Sequence, residues 1–270
     1  MIKSYLFKIT MRQQGTVLLT GASGGLGTEF AHLFAKDGYK LVLVALEGDK
    51  LKELAADLER TYRTQSETIV ADLSQPSAPG MIFEEITKRS LTIDILVNNA
   101  GFGVYGPFVE TDINKELSMM HVNMDALTVL SKLFLKGMVE RRSGKILNVS
   151  STAAFQPGPI SAVYFASKGY VLSFSQAIRS ELKGSGVSVT TLCPGPTATG
   201  FGKRSGMDNS KLFQRMMKPS VVAKKAYEGL MCGKSIVVPG LKNKLLAFSN
   251  RLLPRDWATA LVRLANGKVK

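Results

Sequence analysis

Cysteine is nearly absent: Cys193 and Cys232 are the only two in 270 residues. That is too few for a disulfide framework and favours a reducing, cytoplasmic setting. The two histidines, His32 and His121, fall in helix-like patterns where a structural role is the simpler reading, and no metal site is expected. No apolar run reaches the ~20 residues needed to span a bilayer. The opening MetIleLysSerTyrLeuPheLysIleThr is interrupted by lysines and has no small-residue cleavage site, which argues against a signal peptide. Acidic residues run short at one end only. Up to residue 199 there are 20 Lys+Arg against 18 Asp+Glu, and from residue 200 on 15 against 3, so +12 of the net +14 sits in the last quarter. That quarter has neither stacking aromatics nor a reading motif, so nucleic acid is not an expected partner, although an anionic partner of another kind is implied.

With 45% apolar and 21% charged residues and a mean hydropathy of +0.07, the chain reads as globular. The expected organisation is a loose tail over 1–14, one large domain over 15–240 and a basic helical extension over 241–270. Within the large domain, short apolar β-branched runs alternate with helical patterns, which predicts an α/β, doubly wound parallel sheet of seven strands with helices on both faces. The strands are expected at 16–20, 40–45, 67–70, 93–97, 145–150, 187–193 and 235–239. Helices are expected near 25–37, 49–64, 82–89, 111–140 and 162–183.

The first strand runs into GlyAlaSerGlyGlyLeuGly, with Gly21, Gly25 and Gly27 in the spacing G-x3-G-x-G before a helix. Glycines let a ligand approach the backbone closely, and a helix N-terminus offers free N–H groups and a positive dipole, so this stretch suits a pyrophosphate. At the end of the second strand an acid would favour NAD and an arginine NADP. Here Ala45 leaves room without a bond, Leu46 is uncharged, Glu47 opposes a phosphate if it points inward, and Lys50 could reach from the next helix. Asp72 follows the third strand, where it could accept from an adenine amino group or simply close a turn. AsnAsnAlaGly at 98–101 follows the fourth. Asn123 lies in an apolar helix, where an amide is costly unless used, and could kink the helix and order a water.

The fifth strand delivers Ser151 to its carboxyl end, and Tyr164 and Lys168 follow one helical turn apart on one face. A phenol with a pKa near ~10 is a poor base at neutral pH. An ammonium about 4 Å away would favour its phenolate by up to about 4 kcal/mol in a semi-polar site, drawing Tyr164 toward physiological pH. Ser151 would then hold a carbonyl or alkoxide oxygen. Taken alone, the same pair is also an ordinary solvated helix face.

In this order, ThrGlyAlaSerGlyGlyLeuGly at 20–27, Asp72, AsnAsnAlaGly at 98–101, Asn123, Ser151, Tyr164, Lys168 and ProGlyProThrAlaThr at 194–199 make the chain resemble the short-chain dehydrogenase/reductase family over about 15–240. The resemblance implies a Rossmann-like fold and an NAD(P)-dependent oxidoreductase interconverting a carbonyl and a secondary alcohol. Tyr164 would exchange the proton, Lys168 would lower its pKa and bind the nicotinamide ribose, Ser151 would position the substrate oxygen, and Asn123 would hold a relay water. The cofactor would contact Gly21, Ser23, Gly24, Gly25, Leu26, Gly27, Leu46, Asp72, Leu73, Asn99, Ala100 and Gly101. Beyond these it would meet Tyr164, Lys168, Pro194, Gly195, Thr197 and Thr199. Relatives often carry arginines after the alanine at 45, and this chain does not. NADP(H) is favoured over NAD(H) only because Ala45 is not acidic. The rival reading is a dinucleotide-binding sensor or scaffold without turnover.

The family usually pairs subunits through helices corresponding to about 112–140 and 162–183, which implies a homodimer or homotetramer. The segment 200–218, with Lys203, Arg204, Lys211 and Arg215, lies where the family places a substrate lid and could meet an anionic carrier thioester. Phe102, Tyr105, Phe155 and Phe201 are candidates for an apolar pocket taking a bulky, lipid-like or acyl carbonyl. The amphipathic stretches 241–253 and 256–264 either cap the substrate cleft, pair subunits, or lie on an anionic membrane surface.

Overall fold

The computed structural model describes residues 15–208, 210–249 and 254–267, so the expected tail over 1–14 lies outside the described residues. The strands are β1 (Thr16–Thr20), β2 (Lys40–Ala45), β3 (Ser66–Val70), β4 (Ile95–Asn98), β5 (Gly144–Val149), β6 (Val187–Leu192) and β7 (Ile236–Val237). They form one parallel sheet in the order β3-β2-β1-β4-β5-β6-β7, a Rossmann-like doubly wound arrangement. The central strands are mostly apolar because both faces are covered: β1 is buried at all five positions.

The chain winds outward from β1 in both directions, so the order reverses between β1 and β4 and leaves a crevice at their carboxyl ends. On one face, α1 (Gly25–Lys36), α2 (Gly48–Tyr62) and α8 (Pro219–Met231) bury Phe30, Phe34, Leu51, Leu58 and Val222 against the sheet. On the other, α3 (Ala78–Lys88), α5 (Leu127–Glu140) and α6 (Ala162–Glu181) bury Ile82, Ile86, Leu130 and Phe134, with Ile178 packed at the margin. Phe30 and Phe34 are fully enclosed, and truncating either to alanine would cost about 3–5 kcal/mol.

Two elements differ from the sequence expectation. The helix expected over 111–140 is divided into α4 (Ile113–Met120), a π-helical turn over His121–Ala126, and α5. Asn123 sits in that turn, and its amide bonds the Phe102 backbone in both directions, drawing the ladder off its usual register. The seventh strand has two residues rather than five. It is an edge strand, Pro239 offers no N–H, and Gly240 at φ +87° turns the chain away.

After β6 come α7 (Phe201–Ser205) and a 3-10 turn over Lys211–Gln214, and after β7 come α9 (Leu241–Ser249) and α10 (Arg255–Asn266). The end of α10 is tied down. Asn266, 3% exposed, donates from Nδ2 to Pro159 O at 2.7 Å, and its carbonyl accepts from the Tyr105 hydroxyl at 2.6 Å. Among the described residues no helix is long and apolar enough to cross a membrane.

Candidate active site

The crevice at the β1/β4 switch opens into one cavity of about 960 Å³ that runs from the glycine-rich turn to α10. At one end, α1 starts without a capping side chain and without an acid in its first turn, and the chain from Gly24 to Leu26 lines the cavity. Its first N–H groups are therefore left for a ligand.

The four glycine positions serve different ends. A Cβ on Gly27 would stand 2.1 Å from Gly21 O, and one on Gly25 2.7 Å from the Thr199 side chain, so both glycines are required for packing. A Cβ on Gly24 would meet only Gly21 O at 3.5 Å, leaving the approach from the cavity open. Gly21, at φ +64°, turns the chain from β1 toward α1. Asn99 stitches this turn to β4, donating from Nδ2 to Thr20 O and Gly21 O at 3.0 Å each. The Thr20 hydroxyl accepts from the N–H of Asn99 and of Ala100. A cradle that side chains would fill, beside an uncapped helix end, fits a pyrophosphate.

Further along, Leu46, Glu47 and Lys50 line the cavity with Asp72 and Leu73. Glu47 accepts from Lys50 Nζ at 2.6 Å and from the Ser23 hydroxyl at 3.4 Å. Its carboxyl is held below the usual range first by the Lys50 hydrogen bond and last by the charge of Arg204 on α7. Asp72 is committed to a turn, its Oδ1 accepting from Ser74 N at 2.9 Å and Ser74 Oγ at 2.7 Å, and these bonds lower its pKa.

In the middle of the cavity the structure brings Ser151, Tyr164 and Lys168 together, while Asn123 is buried behind the cavity wall, close to Lys168 beside Gly101. Tyr164 and Lys168 project from α6, whose start is set by a loop with Ile160 at φ +69° and by Ser161 Oγ donating to Val104 O at 2.6 Å. A β-branched residue in that region is strained, so the loop is held by its contacts. Ser151 Oγ accepts from Ala153 N at 3.1 Å and hydrogen-bonds the Tyr164 phenol. Lys168 Nζ donates to Val149 O at 3.1 Å and lies 5.8 Å from the Tyr164 ring centroid. Asn123 Nδ2 donates to Ser167 Oγ at 3.0 Å. A Cβ on Gly101 would lie 2.9 Å from Asn123 Oδ1 and 3.2 Å from Lys168 Nζ, so the glycine lets both atoms pack close against the backbone.

Burial dominates the titration of the pair. Tyr164 is pushed up to about 12 by burial, only partly offset by the Ser151 hydrogen bond, and Lys168 is pushed down to about 8, again by burial. Burial thus outweighs the lowering of Tyr164 expected from helical spacing, and Lys168 Nζ is engaged by Val149 O.

Pro194, Gly195, Thr197 and Thr199 line the cavity beside this group. Thr197 and Thr199 bond neighbouring backbone carbonyls, at 2.8 and 3.4 Å. Of the four candidate pocket aromatics, Phe102 and Phe201 line the cavity, whereas Tyr105 and Phe155 do not: the Tyr105 hydroxyl is spent on Asn266 O. Phe165 and Phe213 stand in their place, Phe213 stacked 6.5 Å from Phe201. Of the basic residues expected in a lid, Arg204 reaches the cavity, while Lys203, Lys211 and Arg215 do not line it.

Asn243 was not anticipated. Its Nδ2 donates to Pro239 O at 2.7 Å, it lines the cavity, and a Cβ on Gly195 would come within 2.6 Å of it. A glycine between two prolines was the only sequence hint that another segment packs there. Among the described residues there is no group of three or more His, Cys, Asp or Glu able to hold a metal ion.

Comparison with known proteins agrees with this geometry. The chain is similar to the very-long-chain 3-oxoacyl-CoA reductase of Anas platyrhynchos, 34% identical over 194 residues, which is 70% of this chain and 61% of that protein. It thus spans about three fifths of the length of that relative. Among solved structures it is similar to a short-chain dehydrogenase from Sphingobium yanoikuyae in complex with NADPH, at a TM-score of 0.80 and 30% identity over 88% of this chain and 93% of that one. It is also similar to the bulky-bulky ketone specific alcohol dehydrogenase from Comamonas testosteroni, at a TM-score of 0.75 and 27% identity over the same shares. The family model for short chain dehydrogenases matches residues 15–210, nearly three quarters of the sequence, and the chain belongs to that family.

Proposed function

We propose that the protein is an NAD(P)(H)-dependent oxidoreductase that interconverts a ketone and a secondary alcohol, working as a reductase of bulky apolar or acyl ketones with NADPH. The observation that carries this reading is the convergence of Ser151, Tyr164 and Lys168 midway along a cavity that joins the glycine-rich turn to an apolar chamber. A nicotinamide dinucleotide bound along Gly24–Leu26 and Lys168 would supply the hydride. The Ser151 hydroxyl donates to the carbonyl oxygen and fixes its distance to Tyr164. Tyr164, a phenol at every ordinary pH, donates the proton. Asn123 and Lys168, both packed close to Gly101, would hold the water that returns the proton to Tyr164 from solvent.

Phe102, Phe201, Met207 and Phe213 supply an apolar chamber, and Leu246, Leu261 and Val262 extend it under α9 and α10. This suits a large apolar ketone, as do the similarities to an acyl-CoA reductase and a bulky-ketone dehydrogenase. The free thiols Cys193 and Cys232 agree with a cytoplasmic location. Exposed Ile113, Leu117, Val129 and Tyr170 on α4–α6 offer a face for pairing subunits. The test is NADPH oxidation, followed by absorbance, against a panel of ketones of increasing apolar bulk. Turnover that rises with bulk supports the reading, and dinucleotide binding without turnover on any ketone refutes it.

The preference for NADPH rests on cations that come from different elements. Lys50 and Arg204 flank Glu47, so the trio carries one net positive charge where a 2′-phosphate would lie. The similar Sphingobium protein holds NADPH. Arg204→Ala and Lys50→Ala are each expected to weaken NADPH binding about tenfold, the low end for a charge-assisted bond at an exposed site, and to leave NADH binding unchanged. Glu47→Gln should tighten NADPH. Nicotinamide fluorescence titration measures all three, and equal losses for both dinucleotides would place the cations on the pyrophosphate instead.

Cofactor affinity should also depend on pH. Lys168 is charged below about 8 in the free protein, and a polyanionic dinucleotide stabilises that charge. Above about 8, binding must take up a proton, so affinity falls by up to about tenfold per pH unit until the pKa of the complex is passed. The same titrations from pH 7 to pH 10 should show this slope in the native protein and none in Lys168→Met.

A further inference from the structure

The two C-terminal helices are apolar on the wrong side for helices that only pack against protein. In α9, Leu241, Leu245 and Phe248 recur at i, i+4 and i+7, and in α10 Trp257, Leu261 and Leu264 repeat the spacing. All six are between 56% and 73% exposed. The fully buried positions are small or polar instead: Ala247, Ala258 and Asn266 are each 8% exposed or less, with Val262 half-buried beside them. A helix that serves only as a cap buries its large apolar row. Here that row faces outward on two helices in succession, which marks a surface meant to be covered.

The charge around it says by what. Exposed Lys242, Lys244, Arg255 and Arg263 interleave with the apolar rows, and the stretch from residue 200 onward holds 15 Lys+Arg against 3 Asp+Glu. A second copy docking face to face would bring two such cationic surfaces together. An anionic lipid headgroup layer would be attracted by them while its acyl boundary accepts the leucines, Phe248 and Trp257. Leu246 and Leu261 are at once exposed and part of the cavity lining, so the apolar end of the cavity opens on this same face.

We propose that α9 and α10 lie on an anionic bilayer surface, with the mouth of the cavity between them turned to the lipid, so that an apolar substrate enters from the membrane. The docking stands on the exposed rows and their charge; the substrate route also rests on the proposed ketone reductase function.

Trp257 is the only tryptophan, which gives a direct probe. The full chain is mixed with vesicles of phosphatidylcholine alone or of phosphatidylcholine with phosphatidylserine. Tryptophan emission and the pelleted fraction are then recorded at low and high salt. A blue shift and pelleting with the anionic vesicles, reduced by salt and weak with phosphatidylcholine alone, are expected. Leu245→Glu/Leu264→Glu, two positions outside the cavity, should lower the pelleted fraction at least about tenfold, since each removes a buried leucine from the contact. NADPH titration of the variant controls for folding and should be unchanged. Unshifted emission and no pelleting with anionic vesicles overturn the inference, as does a dimer in sedimentation that already buries Trp257 without lipid. Vesicle binding without any dinucleotide binding would sink the reductase reading and leave the docking intact; dinucleotide binding without vesicle binding does the reverse.

Discussion

Tyr164→Phe is expected to lower turnover by about 10³-fold, within the range by which a positioned general acid accelerates a reaction, and to leave NADPH affinity within about twofold. The substitution removes one oxygen and little else. The Tyr164 ring packs edge-on to Phe165 at 6.0 Å and tilted against Phe201 at 5.4 Å, and phenylalanine keeps both contacts. The lost hydroxyl is bonded to Ser151, which retains its bond from Ala153 N, so no buried donor is stranded. Unfolding should therefore occur near the native Tm. The measurement is the steady-state rate on the best ketone beside a dinucleotide titration. A variant retaining a tenth of native turnover would remove Tyr164 from the chemistry, and parallel loss of cofactor affinity would give it a binding role.

The second large effect separates two glycines of one loop. Gly27→Ala puts a methyl 2.1 Å from Gly21 O, a backbone atom that cannot turn aside, so α1 must shift against β1. Overpacking of this kind costs about 1–3 kcal/mol and moves the first-turn N–H groups away from the cavity. Both a lower Tm and a loss of dinucleotide binding of about 100-fold or more are expected. Gly24→Ala should behave differently. Gly24 sits at φ −95°, which alanine adopts freely, and its Cβ would meet only Gly21 O at 3.5 Å. The methyl would project where a pyrophosphate approaches, so binding should weaken with an unchanged Tm. Paired thermal melts and titrations decide the matter. A Gly24→Ala protein that binds as well as native would move the phosphate off this loop.

What was legible in the sequence was local. Largely apolar runs such as ThrValLeuLeuThr predict buried strands because a parallel sheet covered on both faces favours near-continuous apolar runs. The glycine spacing, and Tyr164 with Lys168 one turn apart, are likewise set by a few consecutive residues. So are the helix starting at Ala162 and the strand that ends just before Ser151. Parallel strands with crossover helices then bring all their carboxyl ends to one edge, so the candidate site could be assembled from the order of motifs.

Tertiary structure decided whatever depends on a distant partner or on the surrounding medium. Arg204 approaches Glu47 across more than 150 residues, and Asn243 reaches Gly195 only because α9 folds back over the cavity. Tyr105 resembled a pocket aromatic until Asn266 took its hydroxyl. The helical spacing of Tyr164 and Lys168 put them together, but burial set their protonation, raising one and lowering the other against the Coulomb expectation. The amphipathic pattern of the last helices was plain from sequence, yet which row faces outward was not. Periodicity fixes the angle between two rows on a helix, and only the packing of that helix on its neighbours chooses the row that meets solvent.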